Sequence, residues 1–457
     1  TGAVLVMASG LTFDQTQFDL AIQGRRNPGS AFKPFGLVAA LESGITLASY
    51  WDGRSPKEIE CPQYCTPPEW LVHNAAGSTG LTSLDTATSS SINVVFAQVA
   101  VAVGPDAISE VAHRMGITSD LGSAEHAPSL VLGAGAVTTL EMASAFSTFA
   151  TNGLHAKPYL ISRIVAGDGE VIYEHQPEVA QVVDPAVIAA ARQPLTRVPT
   201  GGGTAPRANI DRPQGGKTGT HQTYQDAWYV GFVPQYSTAV WVGFKDFQLS
   251  LRNVTINGET YSRVFGGTVP APIWAEFMAY MLQGVPGAEF PDDPQGTSAY
   301  FRPAETTVPS VVGMDEGEAI NELYDAHLNV SVEEVGSLEP EGTVVGQSIE
   351  PGAEVNQGTT VAIQVASGEP PSAPLLDLVG QTLDQALASI SEFEEETEVF
   401  LDYKIQYVKV DDPSQDDVVL STDPPPGSEV VHGQSVELRV GEFEEQGEGK
   451  GPPGGDD

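Results

Sequence analysis

The chain has 457 residues and carries 60 acidic against 21 basic side chains, a formal net charge of −39. At roughly 100–200 residues per domain that length allows two to four domains, with at least one sizeable core. Nucleic acid and anionic lipid surfaces attract clustered basic side chains, and no such cluster is visible, so the charge argues against both as partners. A hydrophobic fraction of 41% excludes wholesale disorder.

The charge is uneven. Residues 301–457 hold 34 acidic and 5 basic side chains, which leaves a net of only −10 on the first 300 residues. The front reads as a near-typical globular domain and the back as a solvated acidic appendage. No secretory leader opens the chain, and no apolar run approaches the ~18–20 residues of a membrane span. The longest candidate, Ile92 to Val103, is interrupted by Asn93 and Gln98. Thr1-Gly2-Ala3 runs straight into a strand pattern, as in a fragment of a longer chain whose localisation signals lie upstream.

In chain order, Val4–Ala8 predicts a strand. Ala31–Leu41 is apolar at helical spacing behind Pro28-Gly29-Ser30, a helix start. Leu84–Val101 and Thr139–Thr151 predict further helices, the second ended by Asn152-Gly153. Ala227–Val233 and Thr238–Phe244 are β-rich aromatic runs around Pro234-Gln235-Tyr236-Ser237, a hairpin pattern. Helices interleaved with antiparallel strands predict an α+β layer architecture over residues 1–295.

A stretch rich in Pro, Gly and acid, roughly Gly287–Thr306, ends in a linker over 296–306, and two self-similar segments follow, 307–368 and 374–441. Val308-Pro309-Ser310-Val311-Val312-Gly313 reaches Ala319 six positions after its glycine; Leu375-Leu376-Asp377-Leu378-Val379-Gly380 reaches Ala386 at the same spacing. Pro351-Gly352 precedes Gly358 and Val361 as Pro426-Gly427 precedes Gly433 and Val436. Each repeat predicts one helix followed by strands joined at Pro-Gly turns, the second longer around Phe393–Gln406. Residues 442–457 are a Glu, Gly and Pro tract that predicts a disordered acidic tail.

Among the eight lysines only Lys33 has a serine three positions before it, Ser30. Positions i and i+3 share a helix face, so the Lys33 amine can reach the Ser30 hydroxyl. A serine needs a neighbouring base to become a nucleophile, and a lysine kept neutral by burial and a second cation can serve. An isolated Ser-x-x-Lys is usually a surface pair near a helix start. Two later segments change that reading: Ser91-Ile92-Asn93, otherwise a polar helix face, and Lys217-Thr218-Gly219-Thr220, otherwise a turn. Ser-x-x-Lys, Ser-x-Asn and Lys-Thr-Gly, in that order, are the trio of penicillin-binding proteins and serine β-lactamases, with Ile92 in place of an Asp.

The resemblance runs beyond the trio. Arg25-Arg26-Asn27-Pro28-Gly29-Ser30-Ala31-Phe32-Lys33-Pro34-Phe35 resembles the nucleophile region of class A penicillin-binding proteins. So do Lys217–Thr220 running into Asp226-Ala227-Trp228-Tyr229-Val230-Gly231-Phe232, and Leu140-Glu141-Met142-Ala143 with Phe149-Ala150-Thr151-Asn152-Gly153. The two repeats resemble PASTA domains, although Leu376 stands where that module usually has proline. The implied fold is a β-lactamase/transpeptidase-like antiparallel sheet flanked by helices, then two small α+β PASTA-like modules.

The resemblance also implies roles. Ser30 would attack the penultimate D-alanine carbonyl of a peptidoglycan stem peptide and carry the acyl group, with Lys33 as base. Ser91 would relay a proton to the leaving amine, and Asn93 would bond the substrate amide or Lys33. Lys217 would keep Lys33 neutral and draw the substrate carboxylate, which Thr218 and Thr220 would also bind. Gly219 would let the strand backbone approach an extended substrate. The oxyanion would lie between the backbone N–H groups of Ser30 and Thr220. An amine of a second stem peptide would complete the cross-link, and β-lactam antibiotics would acylate Ser30. The implied site is extracytoplasmic, at the cell envelope, with a membrane anchor upstream, no cofactor, and cell-wall or divisome proteins as further partners. No second acidic motif for glycan polymerisation is visible, so that activity is not assigned to these residues.

Cys61 and Cys65 are the only cysteines, in Cys-Pro-Gln-Tyr-Cys. An exported protein favours a disulfide, with free thiols as the alternative; a metal is disfavoured, because His73 alone cannot complete four ligands. His221 reads as an exposed strand residue before an acceptor-site one. Trp228, Tyr229, Phe232, Trp241 and Phe244 read as sheet core, and Glu394-Glu395-Glu396 as a solvated face.

Overall fold

A computed structural model describes residues 1–10, 14–15, 17–245 and 249–444. The chain divides into two compact units. The first comprises Thr1–Thr307 with Tyr324–Asn329 and Glu354–Thr359; the second holds Val308–Leu323, Val330–Ala353 and the chain from Thr360 onward.

In the first unit a short 3-10 turn, Gly29–Phe32, leads into α1 (Lys33–Glu42), as the sequence predicts. Pro34 sits in the first helical turn, where its missing N–H costs nothing. A two-stranded hairpin follows, β1 (Lys57–Glu60) and β2 (Glu69–Val72), closed at its tip by a Cys61–Cys65 disulfide. Helices α2 (Leu84–Ser89), α3 (Asn93–Val103) and α4 (Pro105–Arg114) come next. The predicted single helix over Leu84–Val101 is therefore two. It breaks at Ser91, whose φ of 60° is left-handed and cannot continue an α-helix.

Helix α5 (Thr139–Ala150) starts with a full capping box, Thr138 with Glu141, and ends before left-handed Asn152 and Gly153. Helix α6 (Pro185–Arg197) has no counterpart in the sequence reading. The central sheet has strands β3 (Gly215–Thr220), β4 (Asp226–Phe232) and β5 (Ser237–Gly243) in the order β5-β4-β3, all antiparallel. Helix α7 (Pro270–Met281) covers β4 and β5 from one side. One apolar cluster joins α1, α3, α4, α5 and α6 to Trp228, Val230 and Phe232 of β4. Tyr229 and Val233 belong to a second cluster with Trp274 and Met278 of α7. Strand β4 is thus buried on both faces, which explains its unbroken apolar run.

Trp228, Tyr229 and Phe232 are core residues, as expected, whereas Trp241 is partly buried and Phe244 is solvent-exposed. The expected strand over Val4–Ala8 is not formed. Ala3 makes one isolated bridge to Tyr159, and Leu5, Val6 and Met7 stay exposed. A strand needs a partner edge for its N–H and C=O groups, and an apolar run alone supplies none.

Each repeat contains one helix and two small sheets. In the first, helix α8 (Glu316–Asp325) accompanies a three-stranded sheet in the order 329–335, 360–366, 344–347, and a pair formed by 305–307 and 354–356. In the second, helix α9 (Leu383–Thr397) accompanies 402–410, 435–443, 419–423, with the pair 372–374 and 429–431. The strand orders are the same. Conserved offsets within the chain have physical causes: Gly313, Gly352, Gly358, Gly380, Gly427 and Gly433 all hold positive φ, and Ala319, Ala386, Val361 and Val436 are all fully buried. The extra length of the second repeat lies in α9 and in strand Asp402–Val410. Glu395 and Glu396 are exposed, while Glu394 accepts a hydrogen bond from the Leu401 N–H at 2.8 Å. Residues 445–457, most of the expected disordered tail, lie outside the described residues.

Candidate active site

The site assembles where the start of α1, the α2–α3 break and strand β3 meet. Each segment reaches it for a local reason. Ser30 rides on the 3-10 turn, placed by Gly29 at φ 56°. That turn lies so close to β3 that a Cβ on Gly29 would stand 2.6 Å from the Thr220 carbonyl oxygen. A Cβ on Gly219 would collide with the Pro28 carbonyl and stand 3.0 Å from the Ala31 Cβ. Only glycine permits this approach, so Lys-Thr-Gly is a packing requirement as well as a motif. The stretch before Ser30 is clamped by the Trp228 indole N–H, which donates to the Asn27 carbonyl at 2.9 Å, and by paired backbone bonds between Arg26 and Val137.

Around the nucleophile the structure brings together Ser30, Lys33, Ser91, Asn93 and Lys217. The Lys33 amine donates to the Ser91 carbonyl at 2.7 Å and to Asn93 Oδ1 at 2.8 Å, and it lies 3.3 Å from Ser91 Oγ. The Ser30 hydroxyl donates to the same Asn93 Oδ1 at 3.5 Å. Ser30 and Lys33 therefore meet on one shared acceptor rather than bonding each other. Lys217 donates to Ser91 Oγ at 2.7 Å and to the Thr218 carbonyl at 3.2 Å. The left-handed φ of Ser91 is what turns both its carbonyl and its hydroxyl toward the two amines.

Both lysines are fully buried. Burial disfavours the charged amine, and the neighbouring Lys217 charge adds to it, so Lys33 titrates well below the usual lysine range. Burial alone pulls Lys217 down to about 7. A neutral Lys33 has one lone pair and two N–H donors. Its donors are matched by the Ser91 carbonyl and Asn93 Oδ1, which leaves the lone pair as the position that can receive a proton, with Ser91 Oγ 3.3 Å away.

The Thr218–Thr220 edge has no strand partner among the described residues. The His221 N–H donates to the Asp226 carbonyl, so His221 is a hydrogen-bonded position of the β3–β4 ladder. By alternation Thr220 and Thr218 are not, and their N–H and C=O groups point to the free side of β3. The Thr220 N–H therefore faces the nucleophile turn. Thr218 Oγ1 is 2.7 Å from Thr204 Oγ1, a residue the sequence reading missed. Two others it missed are His73, whose carbonyl accepts from the Asn93 amide at 2.9 Å, and Asn74, which bonds the Val94 N–H at 3.0 Å. The side chain of His221 bonds locally to Thr223. Cys61 and Cys65 are paired, with Cα atoms 5.3 Å apart.

The chain is similar to known proteins of one family. Residues 1–278 match the penicillin binding protein transpeptidase domain, and residues 306–367 match the PASTA domain. Penicillin-binding protein 1A of Aquifex aeolicus is 33% identical over 314 residues, covering 67% of this chain and 40% of that protein. Its namesake in Neisseria cinerea is 34% identical over 298 residues, covering 63% and 35%. The chain thus spans well under half the length of these relatives. Among solved structures, penicillin-binding protein 1A from Haemophilus influenzae superposes with a TM-score of 0.55 at 26% identity, covering 66% of this chain and 48% of that one. PonA1 from Mycobacterium tuberculosis in complex with penicillin V gives 0.51 at 27%, covering 61% and 75%. With more than half of its residues matched by that domain model, the chain belongs to the penicillin-binding protein transpeptidase family.

Proposed function

We propose that residues 1–295 form a serine D,D-transpeptidase that cross-links peptidoglycan stem peptides and is acylated by β-lactams, and that 307–368 and 374–441 are two PASTA modules. The observation that carries the reading is the pair of buried lysine amines held on the Ser91 hydroxyl, one of them also sharing Asn93 Oδ1 with Ser30.

In this mechanism a stem peptide lies extended along the Thr218–Thr220 edge of β3, with its carboxylate drawn to Lys217, Thr218 and Thr220. Rotation of the Ser30 side chain brings its hydroxyl to the Lys33 lone pair. Lys33 takes the proton, and Ser30 Oγ bonds to the penultimate D-alanine carbonyl carbon. The oxyanion forms between the Ser30 and Thr220 N–H groups, fixed donors aimed where charge develops. Collapse expels the terminal D-alanine, whose nitrogen receives a proton through Ser91 from the lysine pair. An amine of a second stem peptide then attacks the acyl-enzyme and restores the Ser30 hydroxyl. A β-lactam follows the first half of this path, but its expelled nitrogen stays tethered to the acyl group. The site works outside the cytoplasm, where stem peptides are found.

The test is mass spectrometry of the intact protein after penicillin treatment, with the adduct mapped to a peptide. One long-lived adduct on Ser30, absent in Ser30→Ala, is the expected result, together with cross-linking of a stem-peptide mimic. Rapid loss of the adduct would indicate a hydrolase instead, and acylation without cross-linking would indicate a sensor.

A further inference from the structure

Helix α3 opens on Asn93, and its N-cap is Ile92, a side chain with no capping atom. One orphan donor of the first turn, the Val94 N–H, is instead satisfied by Asn74 Oδ1 at 3.0 Å, from 20 residues away in sequence. Asn74 is itself fixed on two other sides. Its Nδ2 donates to the Gly53 carbonyl at 2.9 Å, and its N–H donates to Ser55 Oγ at 2.8 Å. The preceding residue completes the arrangement, since the His73 carbonyl accepts from Asn93 Nδ2 at 2.9 Å. With that end of the amide engaged, Asn93 Oδ1 must face Lys33 and Ser30. A flipped amide would put N–H donors against an amine whose own donors already point there. Apolar contact keeps the two elements together, because Ile59 and Val72 of the β1–β2 hairpin share a buried cluster with Val94 and Ala97 of α3.

We propose that Asn74 is a positioning residue for acyl transfer. It caps α3 from a distance, holds the His73 carbonyl against Asn93, and so sets the shared acceptor on which Ser30 and Lys33 meet. The proposal rests on the Ser30 acyl-enzyme reading and adds to it a residue outside the three motifs. Asn74 does not touch the reacting atoms; it acts through Asn93.

The experiment measures acylation of the full chain by a fluorescent penicillin, separating the maximal rate from apparent binding, in wild type, N74A, N74D and D184A. Asp184 caps α6 by accepting from the Ala186 N–H and lies outside the catalytic cluster, so D184A controls for loss of a helix cap as such. Sub-ångström to ångström misplacement of catalytic groups lowers rates by roughly 10- to 100-fold, so N74A is expected to lose about tenfold or more in maximal rate with binding nearly unchanged. N74D, whose carboxylate can still accept from Val94 but no longer donates to the Gly53 carbonyl, is expected to recover only part of that loss. D184A should melt earlier yet acylate like wild type. If N74A does not fold, N74S, too short to span the gap, serves in its place with the same expectation. A maximal rate in N74A equal to wild type, or an equal loss in D184A, would overturn the proposal. A wild type that is not acylated at Ser30 would instead overturn the underlying mechanism.

Discussion

Replacing Lys217 by alanine isolates the electrostatic half of the lysine pair. Both amines lie on Ser91 Oγ, at 3.3 and 2.7 Å, so they stand no more than about 6 Å apart. At an effective dielectric constant of about 20, two unit charges at about 6 Å repel by roughly 2.8 kcal/mol, or about 2 pKa units. Lys217 lowers the Lys33 pKa only while it is itself charged, which by its own value of about 7 means at and below neutral pH. In K217A the Lys33 pKa should therefore rise, and a larger fraction should be protonated and unable to act as base. The acid limb of the penicillin acylation rate is expected to move to higher pH by up to about 2 units. K217R keeps a charge at every pH, so its acid limb should stay at or below that of wild type even if binding suffers. Stopped-flow acylation from pH 5 to 10 reads both variants. An acid limb in K217A that does not move, or that moves down, would refute the argument and leave burial as the sole cause of the Lys33 shift.

The close approach of β3 to the nucleophile turn makes G219A severe: the added Cβ meets backbone at Pro28, so the strand must retreat, and acylation is expected to fall about 100-fold or more. Glu141 is buried and accepts six hydrogen bonds from Thr118, Ser119 and Thr138. Burial pushes its pKa up, but those bonds outweigh it and hold the carboxyl below its usual value. The stability it contributes is thus present above the unfolded carboxylate range and lost as pH falls through the folded value. E141Q is expected to cost about 2–3 kcal/mol, read as a lower denaturant midpoint at pH 7, and to flatten the acid side of the stability profile. C61S/C65S opens a very short ring, so about 2 kcal/mol of stability should be lost on the loop-entropy scale; thermal melting with and without reductant reads it.

Much of the site could be read in the chain because its chemistry is concentrated in short contiguous signatures. Ser30 and Lys33 sit one helical turn apart, a local relation that sequence spacing fixes. The repeats were equally legible, because positive-φ glycines and buried small residues recur at fixed offsets whatever surrounds them. The α2–α3 break was not: the run Thr86–Ser91 is polar and weak in helix propensity but carries no Gly or Pro to mark a stop, and the left-handed turn at Ser91 is held by the two buried amines on its carbonyl and hydroxyl.

The residue types and their order along the chain determined which chemistry is available. Tertiary structure alone decided which atoms meet. It put Ser30 and Lys33 on a common oxygen of Asn93, stripped water from two lysines 184 positions apart, and assigned the cap of α3 to Asn74. The reason is physical: a pKa shift and a hydrogen bond depend on distance and on excluded solvent, and neither quantity is written in a linear sequence. Val4–Ala8 shows the converse, an apolar run that forms no strand beyond one backbone bond at its start, because a strand exists only against a neighbour.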